Sequence, residues 1–134
     1  MITIKGCQTL DGEDDGVELV TSGEFRAGDG VHRISYLESE LTGMEGVRTE
    51  IELFGSDKVV LRRTGEFSSE MIFECGRRHI CHYNTPAGML QLTVATQGIE
   101  NSMTERGGKL ALHYSLEAMG QLFSRNDFFL DVKL

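Results

Sequence analysis

Residues 47–54 read Val47-Arg48-Thr49-Glu50-Ile51-Glu52-Leu53-Phe54, and their strict alternation decides the fold class. The odd-numbered side chains form one mostly apolar face, and the even-numbered side chains as far as Glu52 form a charged face. A period of two with one polar face is typical of an antiparallel strand that packs one face on a core. Residues 110–118 and 128–134 alternate in the same way.

Similar short runs recur along the chain, separated by connections rich in Gly, Asp and Asn. Glycine occurs 16 times and proline once, at Pro86, which suits many tight turns. No segment repeats apolar residues at helical spacing over the length of a helix, so little or no helix is expected. The predicted strands are 2–10, 17–26, 31–38, 47–54, 58–65, 69–75, 79–84, 89–96, 110–118 and 121–134.

The connections between these strands are short, as in 27–30 and 55–57. Short hairpins join neighbouring strands, so the simplest topology is an antiparallel up-and-down meander of about eight to ten strands. With no helix to cover an edge, closure into a β-barrel would remove the exposed edges. Two stretches, 39–46 and 98–108, are long enough to arch over a barrel mouth. We expect a single β-barrel domain over residues 1–134.

The charge balance excludes several classes of function. Lys and Arg number 13 against 21 Asp and Glu, which gives a net charge of −8. Proteins that grip nucleic-acid phosphates or anionic membranes need basic surfaces, so neither partner is expected. The cysteines Cys7, Cys75 and Cys81 cannot all pair, and Met1–Gly6 shows no charged leader. Both observations favour free thiols and a cytoplasmic location.

The stretches Ile4–Thr9, Ile34–Gly46 and His79–Gly88 are similar to segments of one known family, and the most specific part is Glu40–Gly46. Together they resemble the YwiB-like bacterial proteins, a family of unknown function. The resemblance extends over nearly the whole chain and implies a calycin-like, lipocalin-like β-barrel in the cytosol. Leu37 departs from the family pattern, which has an acidic residue there. The resemblance implies no activity or catalytic residue, because fold does not determine function.

A β-barrel of this size either holds one small ligand or fills with its own side chains. Two known ligand-binding patterns are missing from the sequence. The chain has no Trp for the Gly-x-Trp motif of lipocalins, and the link 11–16 is too short and acidic for the helical lid of fatty-acid-binding proteins. The sequence therefore leaves both a functional pocket and a filled interior open.

Strand alternation groups several polar side chains on faces that would turn inward together. Arg63 would then supply the counter-charge for an anionic head group, and the tyrosines would donate hydrogen bonds. The candidate ligand-binding residues are Tyr36, Glu38, Arg63, His79 and Tyr83. The alternative is a Glu38–Arg63 pair on ordinary solvated faces. Register decides between the two, because a one-residue slip moves every side chain to the other face.

A second candidate is the loop near the barrel mouth, with Glu40, Thr42, Met44 and Glu45. Its glycines permit the tight turns that functional loops often contain. The alternative is a structural turn that plugs the end of the barrel with apolar side chains such as Leu41.

Metal binding and catalysis find little support. On a strand, His79 and Cys81 face one way and His82 the other, so three zinc ligands do not converge. The acidic segment 11–16 lacks the bidentate glutamate that a calcium loop requires, because Ser22 stands at that position. No nucleophile elbow, phosphate-binding glycine loop or dinucleotide fingerprint occurs. The sequence therefore assigns no metal, cofactor or catalytic residue, and an enzyme is not favoured.

The sequence thus predicts an all-β, antiparallel, calycin-like β-barrel that binds a small anionic or amphipathic molecule. The alternative function is a non-enzymatic interaction or structural module with a side-chain-filled barrel, either a monomer or a homodimer. That module would expose an apolar patch, for which Ile72, Ile80 and Phe129 are the candidates because they interrupt polar faces.

Overall fold

The computed structural model describes residues 2–10, 13–28, 30–38, 45–55 and 57–134. These residues form eleven β-strands and no helix. The described part of the chain accordingly contains no candidate for a membrane-spanning helix. The strands are β1 Ile2–Leu10, β2 Glu13–Thr21, β3 Gly23–Gly28, β4 Val31–Leu37, β5 Arg48–Phe54, β6 Lys58–Thr64, β7 Ser69–Glu74, β8 Arg78–Thr85, β9 Gly88–Asn101, β10 Gly107–Ala118 and β11 Gln121–Lys133.

The strands form two antiparallel sheets. The six-stranded sheet has the order β2-β1-β11-β10-β9-β8, and the five-stranded sheet has the order β3-β4-β5-β6-β7. All paired strands except β1 and β11 follow one another in sequence, as an up-and-down meander requires. The predicted all-β antiparallel fold is therefore confirmed. The two sheets are not joined by a ladder of paired strands among the described residues. Between β7 and β8, the recorded pairing is the isolated bridge between Ser68, just before β7, and Asn84 in β8.

The predicted strand 17–26 is wrong as one element, because the chain bends at Ser22 and passes from one sheet to the other. Gly23 lies at this bend, where a Cβ atom would collide with the Ser35 carbonyl oxygen and with the side chain of Ile2. The close approach of Ile2 to Gly23 is tertiary, so alternation in sequence does not reveal it. The bend raises the number of strands above the eight to ten that we expected.

Two predicted connections are also shorter in the structure. Strand β2 begins at Glu13, so most of the link 11–16 is strand. In the stretch 98–108, β9 extends to Asn101 and β10 begins at Gly107. A pair of backbone hydrogen bonds between Thr104 and Gly107 tightens the remaining turn. The predicted loop 39–46 falls mostly outside the described residues, which resume at Glu45.

The core lies between the inner faces of the two sheets. In β5, Thr49, Ile51 and Leu53 are fully buried, whereas Arg48 and Glu50 are exposed, which is the alternation that the sequence predicts. The β7 and β10 strands meet across the core, where the Phe73 and Tyr114 rings pack edge to face at 4.8 Å. Each fully buried aliphatic or aromatic side chain contributes about 1.5–3 kcal/mol, so this contact between the sheets stabilises both.

The outer face of the five-stranded sheet is covered by ion pairs. Glu52 lies between two arginines, Arg33 at 3.3 Å and Arg62, and Arg62 also pairs with Glu70 at 2.7 Å. Because successive side chains on a strand point to opposite faces, Arg62 belongs to this outer network and Arg63 turns inward. The same alternation therefore separates a solvated arginine from an interior one.

Candidate functional site

A row of polar side chains crosses the inner face of the five-stranded sheet. Tyr36 is in register with Thr49, Thr49 with Arg63, and Arg63 with Ser69, so the row spans strands β4 to β7. We call these four residues the polar row. Tyr36, Thr49 and Ser69 are buried, and the Arg63 side chain is only 15% exposed. Most inner positions of the sheet are apolar, so the row marks a distinct site within the core.

Glu38 joins this row from one end of β4. Its backbone N–H donates to the Val47 carbonyl at 2.8 Å, which continues the pairing of β4 with β5. The carboxylate is almost completely buried, and its Oε1 atom accepts a hydrogen bond from Thr49 Oγ1 at 2.7 Å. Arg63 Nε lies 3.9 Å from the same oxygen, which is an ion pair but too long for a hydrogen bond.

Two atoms of the polar row lack hydrogen-bond partners within the described structure. Arg63 Nε and Ser69 Oγ are both shielded from solvent, and neither makes a hydrogen bond to a described residue. The two residues are register partners on β6 and β7, so the two donors belong to neighbouring residues. A buried polar group without a hydrogen bond costs about 1–3 kcal/mol, and native structures contain few of them. Each such group therefore needs an explanation, and a bound molecule with an oxygen acceptor is one.

The charge of Arg63 acts on the interior. Burial raises the pKa of Tyr36 well above its usual value, the Glu38 carboxylate raises it further, and Arg63 opposes both. Burial also raises the pKa of Tyr114 and of the Cys81 thiol, and Arg63 opposes the shift in each case. Tyr114 and Cys81 lie on the six-stranded sheet, so the guanidinium influences groups on both sides of the core.

The five predicted ligand-binding residues do not all meet. Tyr36, Glu38 and Arg63 lie together in the polar row and beside it. The bridge between Ser68 and Asn84 places Tyr83 next to Ser69, at the end of the row. The Tyr83 ring is half-buried and lies 6.3 Å from the Phe67 ring.

His79 lies elsewhere on β8. Its Nε2 atom is 2.9 Å from Glu74 Oε1, beside the turn between β7 and β8. His79 and Tyr83 share a face of the strand, but four residues of strand separate them by about 13 Å. The structure therefore places His79 in a hydrogen bond with Glu74 rather than in the polar row.

The loop candidates are only partly described. Glu40, Thr42 and Met44 lie outside the described residues, and Glu45 is exposed in the turn before Val47. The loop follows Glu38 directly in sequence, so it starts at the end of β4 that carries Tyr36 of the polar row.

Sequence reasoning missed Thr49 and Ser69. Alternation places Thr49 on the inward face of residues 47–54, yet nothing in the sequence aligns it with Tyr36 and Arg63. That alignment depends on the registers of three strand pairs. A short hairpin fixes the register of its two strands, but the register can be calculated only when the residue at which each strand ends is known. A hydroxyl residue on an otherwise apolar strand face is the signal that was available.

No group of three or more His, Cys, Asp or Glu side chains in the described residues is arranged to hold a metal ion. Two free thiols are described, an exposed one at Cys75 and a buried one at Cys81. The side chains of the site therefore provide hydrogen-bond donors and acceptors around a single arginine. Their chemistry suits the recognition of an oxygen-bearing group.

The outer face of the six-stranded sheet carries a concavity of about 600 Å³. Phe129 lines it and is partly exposed, with charged side chains such as Glu100, Lys109 and Asp131 around it. Ile80 is more exposed, whereas Ile72, on the neighbouring strand, is half-buried. The three positions predicted for an apolar patch thus lie on different strands, and charged residues surround Phe129.

Fold and site together define an all-β protein with a buried polar cluster between two antiparallel sheets. Residues 2–130 match the family described as a domain of unknown function, DUF1934, and the chain belongs to this family. The structure is similar to the crystal structure of the ywiB protein from Bacillus subtilis, with a TM-score of 0.82 and 20% identity. The similarity covers 99% of this chain and 90% of that one, and at this identity it shows the fold alone. No curated protein matches the chain. The resemblance to a YwiB-like family of unknown function is thereby confirmed.

Proposed function

We propose that the protein binds a small amphipathic molecule between its two sheets, with an oxygen acceptor of that molecule held by Arg63 and Ser69. The observation that carries the proposal is that two buried donors, Arg63 Nε and Ser69 Oγ, lie on register-paired positions and make no hydrogen bond within the described part of the chain. One ligand oxygen placed between them would accept from both. It would remove a desolvation cost of about 1–3 kcal/mol at each atom.

The surroundings of the polar row support an amphipathic ligand rather than a fully polar one. Phe67 and Tyr83 lie beside Ser69, and Leu90 is the register partner of Tyr83. Leu90 is more than half exposed, so apolar surface leads outward from the arginine. A head group at Arg63 and a tail along these side chains would use both kinds of surface.

Arg63 also limits which head groups fit. Its guanidinium already faces the Glu38 carboxylate, and Thr49 satisfies one oxygen of that carboxylate. The long Nε–Oε1 distance leaves the Nε–H donor for another acceptor. Carboxylates and neutral carbonyl compounds both supply one, and a carboxylate would gain the stronger, charge-assisted hydrogen bond.

We also propose that the two sheets close into a lipocalin-like β-barrel, held together by the bridge at Ser68 and the bend at Ser22. A closed β-barrel would shield a ligand bound between the sheets. The free thiols Cys75 and Cys81 suit a reducing compartment, which supports a cytoplasmic location.

The alternative is a non-enzymatic module with a filled interior, and the packing around Phe73 favours it. Phe73 is fully buried and its ring contacts that of Tyr114, so this part of the interior is occupied by side chains. On this alternative, ordered water would satisfy Arg63 and Ser69, and no organic ligand would bind.

Isothermal titration with decanoate and with decanamide tests the proposal, since the two probes share a tail and differ in head-group charge. Arg63→Gln should weaken decanoate binding about 10- to 100-fold, because a hydrogen bond to a charged group contributes about 1.5–3 kcal/mol. Arg62→Gln is the matched control, because it removes the same charge from the neighbouring residue on the outer face.

Ser69→Ala provides a second variant that leaves every charge in place. It should weaken both probes, since it removes one of the two donors. Failure of the unaltered protein to bind either probe would count against the proposal. Equal binding by the Arg63→Gln and Arg62→Gln variants would place any binding site elsewhere.

A further inference from the structure

Strand β3 forms one edge of the five-stranded sheet and pairs only with β4 among the described strands. The last register pair between β3 and β4 is Gly28 with Val31, so two residues connect the strands. A connection of this length closes on a hydrogen-bonded pair, and hydrogen-bonded pairs recur at every second residue. Glu24, Arg26 and Gly28 therefore exchange their backbone hydrogen bonds with β4.

The intervening residues direct their backbone groups away from the sheet. The N–H and C=O groups of Gly23, Phe25 and Ala27 point outward at the edge, where no backbone partner is present in the described part of the chain. Such an edge is a template for another strand. Most edge strands are protected by a covering element or a proline, and β3 has no proline.

The side chains of β3 divide between the two faces. Phe25 is half-buried against the core, and its ring stacks on His32 at 6.0 Å. Glu24 and Arg26 lie on the outer face and are largely exposed, with Arg26 Nη2 3.8 Å from Glu24 Oε2. The edge therefore offers one acidic and one basic side chain, two residues apart, around a central Phe25.

We propose that β3 is a self-association edge, which pairs antiparallel with β3 of a second copy of the chain. A two-fold axis passes beside Phe25, so that Phe25 is opposite the partner's Phe25. Gly23 is then opposite the partner's Ala27, and all three outward-pointing residues exchange hydrogen bonds. Glu24 is opposite the partner's Arg26 in a non-hydrogen-bonded pair, where side chains approach most closely.

Charge specifies this register among the alternatives. Gly23, Phe25 and Ala27 carry the outward-pointing backbone groups, so each of them must lie opposite an odd-numbered residue of the partner strand. The alternative registers are therefore those in which odd-numbered residues still face odd-numbered residues. A slip in one direction places Glu24 opposite the partner's Glu24, and a slip in the other places Arg26 opposite the partner's Arg26. Both slips bring like charges together, whereas the central register makes two opposite-charge pairs. The edge is therefore complementary to itself.

The interface is small, and this sets the strength expected of it. Six residues of strand from each copy bury less surface than the roughly 1,200–2,000 Å² of a stable protein interface. Each copy also carries a net charge of −8, so the copies repel at long range. We therefore expect a monomer–dimer equilibrium that depends on concentration and shifts toward dimer as salt screens the repulsion between copies.

Sedimentation velocity on the full chain over about 5–500 µM measures this equilibrium directly. The unaltered protein should form dimer progressively across the range. Arg26→Glu alone and Glu24→Arg alone should each weaken dimerisation about tenfold, because both cross-strand pairs become repulsive. An equimolar mixture of the two variants should recover dimer, since arginines on one copy then face glutamates on the other.

The control is Arg77→Glu, which makes the same change in net charge as Arg26→Glu. Arg77 is exposed in the turn after β7, at the opposite edge of the sheet from β3. This variant should dimerise like the unaltered protein. A single monomeric species at every concentration overturns the proposal, as does an unchanged equilibrium in the Arg26→Glu variant. A mixture that associates no better than the separate variants also contradicts the proposed register.

Discussion

Replacement of Thr49 by valine tests how much the hydrogen bond between the polar row and Glu38 stabilises the fold, without changing a charge. Valine has nearly the volume of threonine and carries a methyl group in place of the hydroxyl that donates to Glu38 Oε1 at 2.7 Å. Thr49 is fully buried, and the Glu38 side chain is only 3% exposed, so water does not readily replace the lost donor. The Thr49 hydroxyl also interacts with the Tyr36 phenol, so the variant removes both of its side-chain interactions.

The magnitude follows from two opposing contributions. Loss of a hydrogen bond to a charged group costs about 1.5–3 kcal/mol. The extra buried methyl group of valine returns up to about 0.8 kcal/mol. The free energy of unfolding should therefore fall by about 1–2 kcal/mol, which corresponds to a Tm lower by about 5 °C for a domain of this size.

Urea unfolding at neutral pH measures this change. Thr64→Val is the matched control, because Thr64 is exposed at the end of β6, and its stability should change by less than about 0.5 kcal/mol. A double-mutant cycle with Glu38→Gln then isolates the coupling between the two side chains. A Thr49→Val variant as stable as its control would show that the buried Glu38 carboxylate does not depend on this hydroxyl.

Two further predictions concern the core. Burial raises the pKa of Tyr36 in the folded protein, so the stability that depends on its protonated phenol is complete below about pH 10 and is lost at higher pH. Tyr36→Phe should lessen the alkaline loss measured by urea unfolding at about pH 9–11, and an unchanged loss would contradict this. Phe73→Leu should lower the free energy of unfolding by about 1–1.5 kcal/mol, whereas Phe129→Leu on the exposed face should change it by less than about 0.5 kcal/mol. Equal effects would contradict the assignment of faces.

Alternation in the sequence was sufficient to place side chains on the correct faces of individual strands. It grouped Tyr36 with Glu38, but it left open whether Arg63 turns inward, which the structure shows together with the outward position of Arg62. These assignments succeed because the side-chain period of a strand is fixed by backbone geometry. They require no knowledge of which strand lies beside which.

Properties that depend on several strands were not predictable in this way. The alignment of Thr49 and Ser69 with Arg63 arises from the registers of successive hairpins. The bend before Gly23 arises from contact with Ile2, which is distant in sequence. His79 shares a face with Tyr83 but lies near the other end of β8, so a shared face was not enough to bring it to the site.

Native mass spectrometry of freshly purified protein shows whether Arg63 and Ser69 hold a small molecule. We expect an added mass under gentle conditions that disappears on denaturation. This mass should be retained in the Arg62→Gln variant and lost or strongly reduced in the Arg63→Gln variant. A bare mass for the unaltered protein, both as purified and after incubation with decanoate and decanamide, would contradict binding at this site. An added mass that the Arg63→Gln variant retains in full would contradict it as well.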